Sequence, residues 1–376
     1  MIERKLPTCY NGRDSDVAAP DGGATLTEKV RIGFIGAGWW ATANHLPILA
    51  ARDDVELSAV CRLGRPELET VRDRFNFRFA TEDYQELLDQ PLDGVVIASP
   101  HRLHYLHARA ALESGLHVMV EKPMCLHAQE AWQLVDLARQ KNRCLIVPYG
   151  WNYKPFVEEA RQRIADGAIG PIEYVLCHMA SPIRGLLDGT NVRDAVGDDG
   201  LFAPDARTWA DPLVAGGGYG HSQMTHSTGL LFFVTPLRAA NVYARMSAPG
   251  SRVEIYDALS VRFQDGALGT VSGAGSVPPK NGFQVDVRVF GRDGMLLLDC
   301  ERERLEVRRR DGESFTLPIA PGDGAYTCDG PPNRFVELIQ GRSARNNSSG
   351  EVAARSVELL EAAYRSAVSG RAEDVG

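Results

Sequence analysis

The sequence has no long hydrophobic run, no cysteine pair at redox or metal spacing and no concentrated block of basic residues. Each absence removes a class of protein. The longest uninterrupted apolar stretches, residues 94–98 and 230–234, fall far short of the roughly 20 residues that a membrane-spanning helix needs. No contact with a membrane is expected. The 7 cysteines are scattered and never arranged Cys-x-x-Cys, which reads as reduced thiols in a cytoplasmic protein. Lysine and arginine total 41 against 49 acidic residues, a formal net charge of -8, so the clustered positive face that grips a nucleic-acid backbone is missing. Residues 1–28 mix charges with Pro20, Gly22 and Gly23 and lack an apolar core of signal-peptide length, so they read as a flexible leader.

The chain is otherwise of ordinary globular composition, 44% hydrophobic and 24% charged, and its 376 residues predict two or three domains. From Val30 onward short apolar strands alternate with amphipathic helices. Strands are expected at 30–35, 55–61, 94–98, 117–120 and 144–148, with helices at 66–75, 83–88, 103–114 and 127–140 between them. Strands that are apolar almost throughout, each followed by a helix, predict a parallel sheet covered on both faces. Past residue 150 the rhythm changes. After a helix over 155–166, runs such as Arg252-Val253-Glu254-Ile255 and Gln284-Val285-Asp286-Val287 alternate polar with apolar, as antiparallel strands solvated on one face do. Asp265-Gly266 and Asp293-Gly294 carry hairpin chemistry. The fold class is therefore α/β: an N-terminal Rossmann-type doubly wound parallel sheet, then an α+β domain with an open, mainly antiparallel sheet. The expected division is 29–150, 151–330 and a helical 331–376 packing back on the body. The open sheet predicts a homo-oligomer, a dimer or tetramer.

The first strand runs into Gly36-Ala37-Gly38-Trp39-Trp40-Ala41, which is G-x-G-x-x-A opening a helix. In that context Gly36 permits the tight turn and Gly38 lets backbone N–H groups approach a pyrophosphate. Ala41 allows close helix–strand packing, so a dinucleotide is expected at the helix N-terminus, near Trp39 and Trp40. A carboxylate that would accept ribose hydroxyls is absent from the end of the second strand, which reads Cys61-Arg62-Leu63-Gly64-Arg65. Guanidinium groups there suit a 2′-phosphate, so NADP is expected ahead of NAD, with Arg62 and Arg65 as its contacts. Ser99-Pro100-His101-Arg102-Leu103-His104 and Glu121-Lys122-Pro123 also follow strand ends, so both clusters should line the same crevice. His101, His104 and His107 spread around the helix and lack a completing cysteine or carboxylate, and no metal is expected. For Lys122 two readings stay open, a catalytic ammonium of lowered pKa and a surface lysine.

The glycine turn, Ser99-Pro100 with His104, and Glu121-Lys122-Pro123 about 85 residues after Gly36 together resemble the glucose–fructose oxidoreductase / inositol dehydrogenase / MocA family. The resemblance implies an oxidoreductase acting on sugars or polyols, with Lys122 catalytic and Ser99, Pro100, His101, His104 and Glu121 on the cofactor side. It also implies a second-domain glycine stretch followed by Asp and, four residues on, His. Here the stretch is Gly216-Gly217-Gly218-Tyr219-Gly220-His221-Ser222-Gln223-Met224-Thr225-His226: the histidine matches at His226, while Ser222 stands where the aspartate is expected. His226 is then the acid/base, with Tyr219 and Ser222 beside substrate. The domain entry Tyr149-Gly150-Trp151-Asn152-Tyr153 places Asn152 where relatives often carry arginine, and Trp151 with Asn152 is expected near the substrate. Its aromatics suit either a sugar-stacking rim or interdomain core. Two other functions are compatible with these residues: redox-assisted glycoside cleavage with tightly held cofactor, and non-catalytic dinucleotide sensing.

Overall fold

The computed structural model describes residues 28–190, 201–278, 281–343 and 345–376, so the expected leader lies outside the described residues except for Glu28. Six strands, β1 (Val30–Ile35), β2 (Val55–Cys61), β3 (Phe79–Thr81), β4 (Gly94–Ile97), β5 (His117–Val120) and β6 (Leu145–Ile146), form one sheet. Its order is β3-β2-β1-β4-β5-β6 and every pairing is parallel. The strand order reverses between β1 and β4, which opens a crevice at their carboxyl ends. Ile32, Phe34, Val96 and Met119 pack on one face with Leu46, Leu49 and Phe335, while Ile35, Val95, Ile97 and Val118 pack on the other with Ala108, Leu134 and Val357. Burial on both sides explains why these strands read as continuous apolar runs.

The second sheet has nine strands: β7 (Ile172–Ala180), β8 (Ala239–Ser247), β9 (Tyr256–Phe263), β10 (Leu268–Ala274), β11 (Gln284–Gly291), β12 (Gly294–Asp299), β13 (Arg304–Arg309), β14 (Ser314–Leu317) and β15 (Glu373–Asp374). Their order is β14-β13-β12-β11-β7-β10-β9-β8-β15, and only β7 with β10 pairs in parallel. The two Asp-Gly pairs sit at the β9–β10 and β11–β12 hairpins, so the anticipated mixed architecture is the observed one.

Three short strands, β3, β14 and β15, had no periodicity long enough to announce them. The alternating run Arg252-Val253-Glu254-Ile255 precedes β9, which starts only at Tyr256, and Glu254, read as the polar side of an alternating strand, is buried. The helix Thr225–Val234 was also not anticipated. All ten of its residues are buried, between β7 and the helices Pro155–Ala165 and Gly350–Ser369, so no polar face marks it.

The last two helices tie the halves together. Phe335 of Gly330–Ile339 fills the crevice-distal face of the parallel sheet, a burial worth about 1.5–3 kcal/mol. The helix Gly350–Ser369, N-capped by Ser349, contributes Ala353 and Val357 to the first core and Leu359, Leu360 and Ala363 to the second. The thiols of Cys61, Cys125, Cys177, Cys300 and Cys328 are free. No helix among the described residues is long and apolar enough to cross a membrane.

Candidate active site

Gly36 has φ +90, and a Cβ there would stand 2.4 Å from Ser99 N and 2.6 Å from the Ala98 carbonyl carbon, so only glycine lets the β1 turn cross the end of β4. A Cβ on Gly38 would meet nothing within 4 Å: its face is open to the crevice, as close approach of a phosphate requires. The chain then makes a π turn, Ala41–His45, before Leu46–Ala50, with Ala41 fully buried against the sheet. Such turns recur at functional sites because they re-aim side chains. Here Trp40 Nε1 donates to Glu121 Oε1 at 2.7 Å and His45 Nε2 lies 2.5 Å from the same oxygen.

Glu121 Oε2 accepts from the Lys122 backbone N–H at 3.0 Å. Burial alone would raise the Glu121 pKa, but the His45 contact and the Lys122 charge outweigh it and hold the carboxyl at about 2. The Lys122 side chain is buried, and its Nζ donates to Ser222 O at 2.9 Å, reaching from the cofactor domain into the second domain. It stands 5.7 Å from the Trp40 ring and 5.4 Å from the Trp209 ring. Burial pulls the ammonium pKa down, with the charges of Glu121 and Cys328 opposing. This excludes the surface-lysine reading.

The crevice is a cleft of about 670 Å³. Gly36, Gly38, Trp39, Trp40, Ser99, Pro100, His101, His104, Glu121 and Lys122 all line it, and the segment Phe202–Trp209 supplies the opposite wall. His104 pins the end of β4 to that of β5, its Nε2 2.7 Å from Ser99 O and its Nδ1 2.7 Å from Pro123 O. His107 contacts Ser99 Oγ at 2.9 Å, and His101 Nδ1 donates to Ala215 O at 3.1 Å. Each histidine therefore serves the strand ends or the domain junction. Burial, then the His104 charge, lowers the His101 pKa to about 3, so this ring is neutral.

Arg62, at the end of β2, also lines the cleft. Its Nη1 donates to Ala37 O at 3.0 Å, and the guanidinium carbon sits 4.2 Å above the Phe202 ring. Arg65, assigned to the same role, is an exposed residue paired with Glu69 at 3.2 Å and is not among the cleft residues, because it begins the helix Arg65–Phe75 and turns outward with it.

In the second domain another glycine turn leads through a π turn, Gly220–Met224, into Thr225–Val234. Its amides are already filled: Glu254 accepts from Gly218 N at 2.7 Å and Gly220 N at 3.0 Å, and from the Tyr364 hydroxyl at 2.5 Å. His226 at the start of the helix is buried, with Tyr149, Trp151 and Tyr326 ring centroids 6.0, 5.9 and 5.2 Å away and Nδ1 without a partner. Burial, then the Lys122 charge, holds its pKa well below the ordinary value, so the ring is neutral, with Nδ1 open to a hydrogen-bond partner. The buried Ser222 hydroxyl has no partner either.

Tyr219 and Asn152 are not brought to this point. The Tyr219 hydroxyl donates to Met179 O at 3.2 Å and accepts from Ser181, and Asn152 Nδ2 donates to Asn347 O at 3.0 Å. Trp151 walls His226 while its Nε1 donates to Gly324 O at 3.1 Å, so it serves as interdomain core. His45, Trp209 and Tyr326 escaped the sequence reading, since each meets its partners only through long-range folding.

The comparisons with known proteins agree with this architecture. A family described as "Oxidoreductase family, NAD-binding Rossmann fold" matches residues 30–149, and the GFO/IDH/MocA C-terminal domain matches residues 157–297. These matches together span more than half of the sequence, and the chain belongs to the GFO/IDH/MocA oxidoreductase family, an enzyme family that uses a nicotinamide dinucleotide. It is similar to D-glucoside 3-dehydrogenase of Escherichia coli (strain K12), 31% identical over 150 residues, which are 40% of this chain and 43% of that protein. Levoglucosan dehydrogenase of Pseudarthrobacter phenanthrenivorans is 25% identical over 343 residues, 80% of this chain and 83% of the relative. Among solved structures, GenD2 from gentamicin A biosynthesis in complex with NAD superposes with a TM-score of 0.73 at 23% identity over 96% of this chain and 100% of the other, a likeness of fold.

Proposed function

We propose that this protein moves hydride between a nicotinamide dinucleotide and a secondary hydroxyl or carbonyl of a sugar or polyol. The observation that carries the reading is the Lys122 ammonium, which closes the cofactor cleft, bonds Ser222 O at 2.9 Å and acts on the charge state of neutral His226. The names of the two dehydrogenase relatives support a sugar substrate. The cleft suits a dinucleotide, because Gly38 leaves space against the opening of the helix and Arg62 stands at the adenosine end. A bound nicotinamide supplies the hydride acceptor or donor. His226 takes or returns the hydroxyl proton at a ring nitrogen, and Lys122 holds positive charge beside the reacting oxygen and shares in the proton transfer. Ser222 lends a hydroxyl to hydrogen-bond substrate in place of a carboxylate. Arg62 favours NADP, with NAD as the second cofactor.

The protein is further proposed to work in the cytoplasm as a dimer or tetramer joined through the open face of the second sheet, which light scattering on the purified protein tests. The activity is tested by titrating cofactor-stripped protein with NADPH and NADH and then following nicotinamide absorbance over a panel of sugars, glycosides and sugar lactones. Turnover that Lys122→Ala and His226→Ala each reduce by about 10²-fold or more supports the reading; full turnover in both variants refutes it.

A further inference from the structure

Two strands, not one, deliver charge to the adenosine end of the cleft. β2 and β3 pair in parallel with Cys61 opposite Thr81, and Arg62 N donates to Thr81 O at 3.3 Å. The next residue on each strand is therefore a register neighbour: Arg62 on one, Glu82 on the other. Both line the cleft, beside Leu63. Adjacent parallel strands lie roughly 5 Å apart, which is within reach of one ribose.

The two side chains are held by different bonds. Arg62 gives Nη1 to Ala37 O and lays its guanidinium on Phe202, while Glu82 Oε1 accepts from Gly64 N at 2.7 Å. One accepted bond leaves a carboxylate with further lone pairs for hydroxyl donors. The acidic field is felt locally: after burial, the charges of Asp83, Glu82 and Glu86 push the Cys61 thiol up to about 12. A carboxylate at this place accepts the two ribose hydroxyls of NAD and repels a 2′-phosphate, so it performs from β3 the task that a carboxylate at the end of β2 performs in other dinucleotide folds.

We propose that Glu82 is the specificity-determining residue that opposes Arg62, and that its charge sets the ratio of NADP to NAD affinity. The proposal rests on the nicotinamide-dependent reading above and assigns the recognition of the ribose within it. The sign is fixed by electrostatics: a negative charge beside the 2′-position lowers NADP affinity and leaves NAD affinity supported by hydrogen bonds.

The test is direct titration of the full-length protein with NADH and NADPH, read by nicotinamide fluorescence, for the wild type, Glu82→Gln, Arg62→Gln and the double variant. Glutamine keeps an oxygen for Gly64 N–H and removes only the charge. In Glu82→Gln the preference for NADPH over NADH rises about tenfold or more, and the rise shrinks at high ionic strength. In Arg62→Gln the preference moves the opposite way. The ratio of two affinities on one preparation is unaffected by a misfolded fraction, so partial folding does not blur the result. A Glu82→Gln ratio within about twofold of the wild type, with both nucleotides bound, overturns the role of Glu82 alone. Failure of the wild type to bind either nucleotide overturns this inference together with the proposed function.

Discussion

The molecule contains two glycine turns of similar local form, and they do opposite things with their backbone amides. Both pass through a five-residue π turn and open a helix, at Ala41–His45 after β1 and at Gly220–Met224 after the short helix Pro212–Ala215. At the first, Gly38 faces open space on the cleft, and no internal carboxyl group among the described residues is bonded there. At the second, the Glu254 carboxylate already occupies Gly218 N and Gly220 N, and the Tyr364 ring lies where Cβ atoms on Gly217 and Gly220 would stand. The same backbone device faces an open cleft in one domain and an internal carboxyl group in the other.

Substitutions that strike backbone test this contrast most severely. Gly36→Ala places a Cβ 2.4 Å from Ser99 N at a positive φ, and Gly218→Ala places one 2.2 Å from Glu254 O. Each is expected to destabilise by about 2–4 kcal/mol or prevent folding, as read by thermal unfolding. Gly38→Ala breaks the symmetry between the turns. It meets no protein atom, so the melting temperature stays within a few degrees while dinucleotide affinity falls about tenfold or more in titration.

Acid comes next in expected size. His101 and His221 are buried and neutral, with pKa values of about 3 and about 4, against roughly 6.5 when unfolded. A depressed histidine favours folding above its unfolded pKa and loses that contribution as pH falls towards the folded value. Stability therefore drops between about pH 6.5 and 4, by up to about 1.4 kcal/mol per pH unit for each ring. Glu121, held at about 2, adds its own loss as pH falls from about 4.5 to 2. Urea midpoints measured from pH 7 to 4 check the first window, and a flat profile would contradict the neutral-histidine assignment.

Glu254→Gln sharpens the comparison from the other side. Replacing the carboxyl group that fills the second turn by an amide, which keeps one acceptor, is expected to cost about 1–3 kcal/mol without changing the NADPH-to-NADH affinity ratio. The smallest effect belongs to Arg65→Ala, because this exposed residue pairs with Glu69 away from the cleft. Dinucleotide Kd should stay within about twofold.

Much of this was legible in the chain. The parallel domain could be read because each strand is buried on both faces and each glycine of the first turn follows a strand. Ser99, His104, Glu121 and Lys122 could be read because open parallel sheets gather ligands at strand ends. Arg65 could not be placed correctly, since one residue of helix onset decides whether a side chain points into the cleft or away from it. Tyr219 and Asn152 carried suitable chemistry, but their polar atoms are consumed by Ser181, Met179 and Asn347, partners far along the chain. Glu254 looked solvated by alternation and is the buried acceptor of the second turn's amides.

Local pattern determined the alternation of strands and helices in the parallel domain and the open glycine turn, because strand burial, helix periodicity and turn stereochemistry are short-range properties. Tertiary structure decided which amides remain free, which histidines lose their charge and which charges share the adenosine end, because those properties depend on burial and on side chains brought together across the chain. Lys122 and Ser222, separated by 100 residues and joined at 2.9 Å, mark the boundary between the two kinds of information.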